Sequence, residues 1–293
     1  MTKRLIRFDW AIKRILRDKE NFDILEGFLS ELLDQTITIE QILESESNQE
    51  TDSDRHNRVD ILVKNQLNEF VIIEVQNSKE YDYFHRMLFG TSKVITQYIK
   101  QGDPYASVKK VISITIAYFD LGQGKDYIYH GTNGFVGIHF NDELELADKQ
   151  KDLYNKNQVQ DIFPEYWIIK ADKFNNEISN ALDEWIYFLK NGEVLDNFSA
   201  KGLQQAKEKL DELRMSDQER IAYQRYLKRL MDIASEQHTK QADMEDILAK
   251  KRRENMIEVA INGIKAGLDN LTISTLTHLS YTEIENIRNR KSE

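Results

Sequence analysis

The chain has 293 residues, of which 40% are hydrophobic and 31% charged, with a formal net charge of -10. That is room for one large domain or two ordinary ones, with enough apolar content for a real core. No apolar run is long enough for a membrane span, the basic start lacks the apolar stretch of a signal peptide, and cysteine is absent. Disulfides and thiolate metal sites are therefore excluded, and a reducing cytoplasm is the natural compartment. The acidic total argues against indiscriminate coating of nucleic acid but not against a nuclease, since metal ions screen the carboxylates that hold them.

In chain order, apolar spacings of three and four predict a helix over residues 4–34, and "TITIEQIL" a strand over 36–43. The polar stretch 44–54 reads as a loop. Two strands follow, about 57–64 and 69–76, joined by the turn "NQLNE". Residues 80–100 return to helical spacing, and "GDPY" is a turn signal. A buried strand is expected over 108–119, two strand-like pieces around "GTNG", and a last strand over 164–170. Beyond about 172 the chain reads as helical: an amphipathic helix ended by Gly192, a charged helical stretch over 200–262, and two short helices in the tail with a capping-box-like "SYTE". The order implies an α/β or α+β core, residues 1–170, and an all-helical extension, 171–293, ending in a small helix-turn-helix-like tail.

The chemistry concentrates in "RVDILVKNQLNEFVIIEVQ", residues 58–76. A strand buried on both faces reads as a continuous apolar run. Glu74 breaks one such run and Asp60 the other. A buried carboxylate without a partner is costly, so it is paired or bound to a metal. With the turn centred on Leu67, Asp60 and Glu74 face each other, about 5 Å apart at Cβ. Two such carboxylates with the Val75 carbonyl make an incomplete oxygen shell for Mg²⁺, open to a phosphate oxygen and a hydrolytic water. Gln76 alternates back to the face of Glu74, where its amide can orient the water or donate to the phosphate. The plainer alternative is that each acid is paired with a nearby arginine, Arg58 or Arg86.

Asp, a strand-spaced gap and Glu-X-Lys form the signature of PD-(D/E)XK phosphodiesterases, and "IEVQ" resembles the variant with Gln for Lys in the PD-(D/E)XK family transposases, the recombination-promoting nucleases. The opening helix, with Asp9 and Lys13, is similar to that family's. So is "YFHRMLFGTSKVITQYIKQGDPYASVKKVISITI", with Arg86, Gln97, Gly102 and Tyr105, as are "LDEWIYFLK" and the closing segment from 260. The tail departs from the family's "TGLS"-like turn and reads "THLS" at 277–280. The resemblance implies a restriction-endonuclease-like mixed β-sheet core flanked by helices, and Mg²⁺-dependent cleavage of DNA phosphodiesters, with Mn²⁺ as an alternative ion. Asp60, Glu74 and Val75 would be metal ligands, and Gln76 would replace the usual lysine. Asp9 would complete the shell, and Lys13, Arg58, Arg86, Gln97 and Tyr98 would support the site or bind phosphate.

Elsewhere the blander readings are favoured: core packing for Tyr81, Tyr83, Phe84 and Phe89, and a solvated helix face for the basic cluster at 249–255. His56 and His85 flank the hairpin without zinc-site spacing. The helical extension leaves a homodimer open, although its apolar positions drift from strict heptads. Two alternatives to a nuclease stand beside it: a degenerate nuclease-fold module that binds nucleic acid or protein, and a structural partner whose hairpin acids are merely salt-bridged.

Overall fold

The computed structural model describes residues 5–14, 16–43 and 60–289. Six strands, β1 (Ile39–Leu43), β2 (Ile61–Asn65), β3 (Phe70–Gln76), β4 (Val111–Ala117), β5 (Ile128–Gly131) and β6 (Glu165–Lys170), form one sheet in the order β1-β2-β3-β4-β6-β5. Its centre, β3-β4-β6, is parallel, and β1, β2 and β5 pair antiparallel at the two sides. This is the mixed β-sheet that the family resemblance implies, in the α/β class that the element order allows. β4 is buried at every position, as a central parallel strand must be when both faces are covered.

The helices are α1 (Phe8–Arg14), α2 (Phe22–Leu32), α3 (Tyr83–Gln97), α4 (Asp148–Tyr154), α5 (Ala181–Asn191), α6 (Leu203–Lys209), α7 (Asp217–Lys265), α8 (Asn270–Thr277) and α9 (Tyr281–Asn289). The helix expected over 4–34 is in fact two. The polar stretch between them favours a 3-10 turn over Lys19–Asn21, where the Asp18 side chain accepts from the Glu20 N–H and competes with helical bonding. Of the two strand-like pieces around "GTNG", the first is β5. The second forms an isolated bridge between Val136 and Glu143. Its Ile138 and Phe140 are 91% and 88% exposed, so no packing rewards an extended ladder there.

Two compact units divide at Arg220, Met1–Arg220 and Ile221–Glu293, rather than near residue 170. The difference lies in α5 and α6. Trp185 is fully buried against Phe28, with ring centroids 5.5 Å apart, and its indole N–H donates to the Lys201 carbonyl at 3.1 Å. Phe188 packs edge-on against Phe8. Buried Glu184 accepts from the Ser199 and Ala200 N–H groups at 2.8 and 2.6 Å, tying the α5–α6 connection down. At Gly27 of α2 an added Cβ would overlap the Lys201 carbonyl, so this close approach requires glycine.

In the second unit α8 and α9 close on the end of α7 around Ala260, Ile273, Leu279 and Ile284. The "SYTE" capping box forms: the Ser280 N–H donates to Glu283 at 2.8 Å, and the Glu283 N–H to the Ser280 hydroxyl at 3.4 Å. His278, the departure from "TGLS", has φ 57°, the left-handed region that favours glycine. His278→Gly is therefore expected to stabilise this unit by about 1 kcal/mol. Amide exchange at Ile273 and Ile284 should slow roughly fivefold, and unchanged or faster exchange would show that the imidazole is not strained there. Among the described residues no helix is long and apolar enough to cross a membrane.

Candidate active site

β2 and β3 pair as Ile61↔Ile73, Leu62↔Ile72, Val63↔Val71 and Lys64↔Phe70. This is the register of a turn centred on Leu67, and Asn68 at φ 62° makes the reversal. Asn65 locks it: its buried side-chain carbonyl accepts from the Leu67 and Glu69 N–H groups at 3.0 and 2.9 Å. Extended by one pair, the register sets Asp60 opposite Glu74. The backbone ladder stops before that pair, and the Asp60 carboxylate takes over, accepting the Val75 N–H at 2.7 Å. Asp60 is thereby oriented by the strand that carries Glu74, and its carbonyl accepts from Arg17 at 2.5 Å.

Glu74 is 8% exposed and sits between the sheet and α3. The buried Tyr83 hydroxyl reaches it at 3.2 Å and Thr115 on β4 at 3.5 Å. The Glu74 pKa is pushed up to about 7, most of all by burial, with Asp60 and Glu80 adding to the rise and Arg86 and the Tyr83 hydrogen bond opposing it. Burial likewise raises the Tyr83 phenol, so it stays a neutral donor. Burial also works against the charge of Arg86, but Glu74 and then Glu80 outweigh it and hold the guanidinium more firmly protonated.

Glu80 and Tyr83 belong to this cluster and were not singled out as site residues by sequence reasoning. Glu80 accepts from the Gln76 amide at 2.6 Å and from Arg86 Nη1 at 3.2 Å with each carboxylate oxygen. The signal for it was its place between the hairpin and α3, four residues beyond Gln76. Among the described residues, Arg86 Nε is buried without a hydrogen-bond partner.

Asp9 is 1% exposed and lies in a neighbouring cluster at the end of β3. Its carboxylate accepts from Arg7 at 3.1–3.3 Å and from the Asn77 amide at 2.9 Å. The Arg7 guanidinium also lies 5.2 Å from the Tyr118 ring. Asp9 is thus neutralised by Arg7. Among the described residues no group of three or more His, Cys, Asp or Glu side chains is placed to hold an ion.

Gln97 and Tyr98 are also placed differently from expectation. Tyr98 packs on Phe70, the first residue of β3, with centroids 4.5 Å apart, whereas Gln76 is the last. The two ends of β3 are about 20 Å apart. Gln97 lies about 16 Å along α3 from Arg86. A 15-residue helix carries its C-terminal turn away from the site that its first turns serve.

Of the aromatic run, Tyr83 is buried, but Tyr81, Phe84 and Phe89 are 92%, 51% and 54% exposed, which overturns core packing for those three. His85 is exposed on α3. Arg58, His56 and the Lys13 side chain lie outside the described residues. A surface cavity of about 290 Å³, lined by Phe135, Val136, Leu144 and Val159 among others, contains none of the residues named for the site.

The arrangement thus unites Asp60, Glu74, Gln76, Glu80, Tyr83 and Arg86 where β3 meets α3. The ionisable groups acting on Glu74 are the carboxylates of Asp60 and Glu80, the Tyr83 phenol and the Arg86 guanidinium; burial raises Glu74 most, and the two carboxylates add negative charge that a divalent cation would neutralise. Comparison with curated proteins and with solved structures gave no match. The profile of the PD-(D/E)XK nuclease family transposase matches residues 6–240, which include the whole sheet and the cluster at its centre. On that match, and with the acid pair of the family's hairpin in register, the chain belongs to the PD-(D/E)XK nuclease family transposases.

Proposed function

We propose that the protein is a metal-dependent endonuclease that hydrolyses DNA phosphodiester bonds, in the manner of recombination-promoting nucleases. The observation that carries this reading is the pairing register that sets Asp60 opposite buried Glu74, with the Asp60 carboxylate held by the Val75 N–H. Asp60, Glu74 and the Val75 carbonyl would hold Mg²⁺ or Mn²⁺, which when bound supplies charge neutralisation at the scissile phosphate and a lowered pKa for water.

The protein's own groups have distinct tasks. Tyr83 donates to Glu74 and limits its rotation. Arg86, kept charged by Glu74 and Glu80, is the fixed cation beside the acid pair that Gln76 cannot supply. Asp9, with Arg7 and Asn77, braces the turn that follows β3. A homodimer through α7 would use its exposed Met231, Met244, Ile247 and Leu248. The absence of cysteine suits a cytoplasmic setting.

The test is conversion of supercoiled plasmid to nicked and linear forms. Conversion is expected with Mg²⁺ or Mn²⁺ and is expected to stop when EDTA removes the ion. Binding of DNA with no conversion under any divalent ion would replace this reading with that of a binding module.

A further inference from the structure

We infer that Glu80 is a positioning residue that fixes the orientation of the Gln76 amide, so that Gln76 serves the site as a hydrogen-bond acceptor and not as a donor. The inference rests on the nuclease reading and assigns one atom within it, Oε1 of Gln76, the task of orienting the attacking water.

The argument is one of donors and acceptors. Gln76 Nε2 donates to Glu80 Oε1 at 2.6 Å and to the Ser78 carbonyl at 3.3 Å. A backbone carbonyl and an ionised carboxylate accept and cannot donate, so the amide nitrogen must face both of them. The reversed amide would set oxygen against oxygen at the same distances. With both N–H groups engaged, Gln76 has no donor left for a phosphate oxygen, and its carbonyl is the group left for water. Glu80 is itself held: both of its oxygens meet Arg86 Nη1 at 3.2 Å, and the guanidinium lies 5.9 Å from the Tyr83 ring. One carboxylate thus couples the amide that orients water to the cation nearest Glu74. A lysine in place of Gln76 would meet the same Glu80 and spend its charge there, which gives a physical reason for an amide at this position alongside an arginine on α3.

Exchange of the two side-chain types separates acceptor from donor. Gln76→Glu alone sets two acceptors face to face and is expected to lower kcat about a hundredfold, the upper range for loss of a group that orients a reacting centre. The double variant Gln76→Glu/Glu80→Gln restores one donor between the positions, now supplied from position 80, and leaves an acceptor facing the site. It is expected to recover at least about tenfold of that loss, with KM for a short duplex changed less than about threefold. A donor role for Gln76 predicts no recovery, since position 76 then carries acceptors alone, and that result overturns the inference.

A second measurement does not depend on cleavage. The side-chain amide protons of Gln76, assigned by their loss in Gln76→Glu, are expected to be shifted and slow to exchange in the wild type. Both properties should be lost in Glu80→Ala and retained in Glu80→Gln, which keeps an acceptor oxygen. Amide signals that do not respond to Glu80→Ala overturn the inference whether or not the protein cuts DNA. Failure of the wild type to cut any DNA, with the amide response intact, overturns the nuclease reading and leaves the brace standing.

Discussion

Asp60→Asn is expected to reduce metal-dependent plasmid cleavage by at least about a thousandfold, the scale on which a single preorganised polar group acts at a reaction centre. The substitution is chosen because it changes charge and little else. Asn retains an oxygen that can accept the Val75 N–H at the position where Asp60 accepts it at 2.7 Å, so the end of the β2–β3 hairpin keeps its brace. Stability should stay within about 1 kcal/mol of the wild type. What is lost is the formal charge opposite Glu74, and with it half of the paired carboxylates available to a divalent cation. DNA binding without added metal should be unchanged or tighter, because one negative charge facing the phosphates has been removed. Cleavage within about tenfold of the wild type by a well-folded Asp60→Asn protein would remove Asp60 from the reaction and with it the proposed acid pair.

Glu74→Gln is expected to do two opposite things: abolish cleavage and stabilise the metal-free protein at high pH. The second effect follows from linkage. The Glu74 pKa is about 7 in the folded protein against an ordinary 4.5, chiefly through burial. Below pH 4.5 the carboxyl is protonated in both folded and unfolded chains and costs nothing. Between pH 4.5 and 7 the unfolded chain releases the proton and the folded chain retains it, so stability falls as pH rises. Above pH 7 the penalty is complete, about 3 kcal/mol on these values. Glutamine can still accept from Tyr83 and carries no charge to desolvate. At pH 8 and without divalent ions, the variant should therefore melt about 5–10 °C above the wild type. The difference should shrink to nothing near pH 4. Adding Mg²⁺ or Mn²⁺ should raise the melting temperature of the wild type at pH 8 and leave that of Glu74→Gln nearly unmoved. Equal melting of the two proteins at pH 8 would mean that Glu74 is neutralised in the folded state, as a salt-bridged structural acid would be.

The exposed aromatics of α3 show where pattern reading misleads. Helical spacing places Tyr81, Tyr83, Phe84 and Phe89 among residues that pack, yet Tyr81, Phe84 and Phe89 are more than half exposed and only Tyr83 is buried, over Glu74. Periodicity states which residues share a face. It does not state how much of the helix circumference the sheet covers, and here the covered arc is narrow, Tyr83, Met87, Thr91 and Val94. The same limit explains Gln97, the last residue of α3, and Tyr98 just past it, which follow Arg86 along the chain but lie at the far end of the helix.

What the sequence determined by itself is local and one-dimensional. The β2–β3 hairpin, its turn, its register and hence the confrontation of Asp60 with Glu74 follow from strand alternation about "NQLNE", because an antiparallel pair leaves no freedom once its turn is fixed. The capping box at Ser280 and the burial of β4 were legible for the same reason: each depends on neighbours within a few residues or on a continuous apolar run. The tertiary structure decided what depends on closure between distant segments. It set Glu80 and Arg86 around Gln76, gave Asp9 to Arg7 and Asn77, and drew α5 and α6 into the first unit through Trp185 and Glu184. Such choices turn on which polar groups are buried together. An unpaired buried charge costs several kcal/mol, so partners are selected by the final packing and not by their separation along the chain.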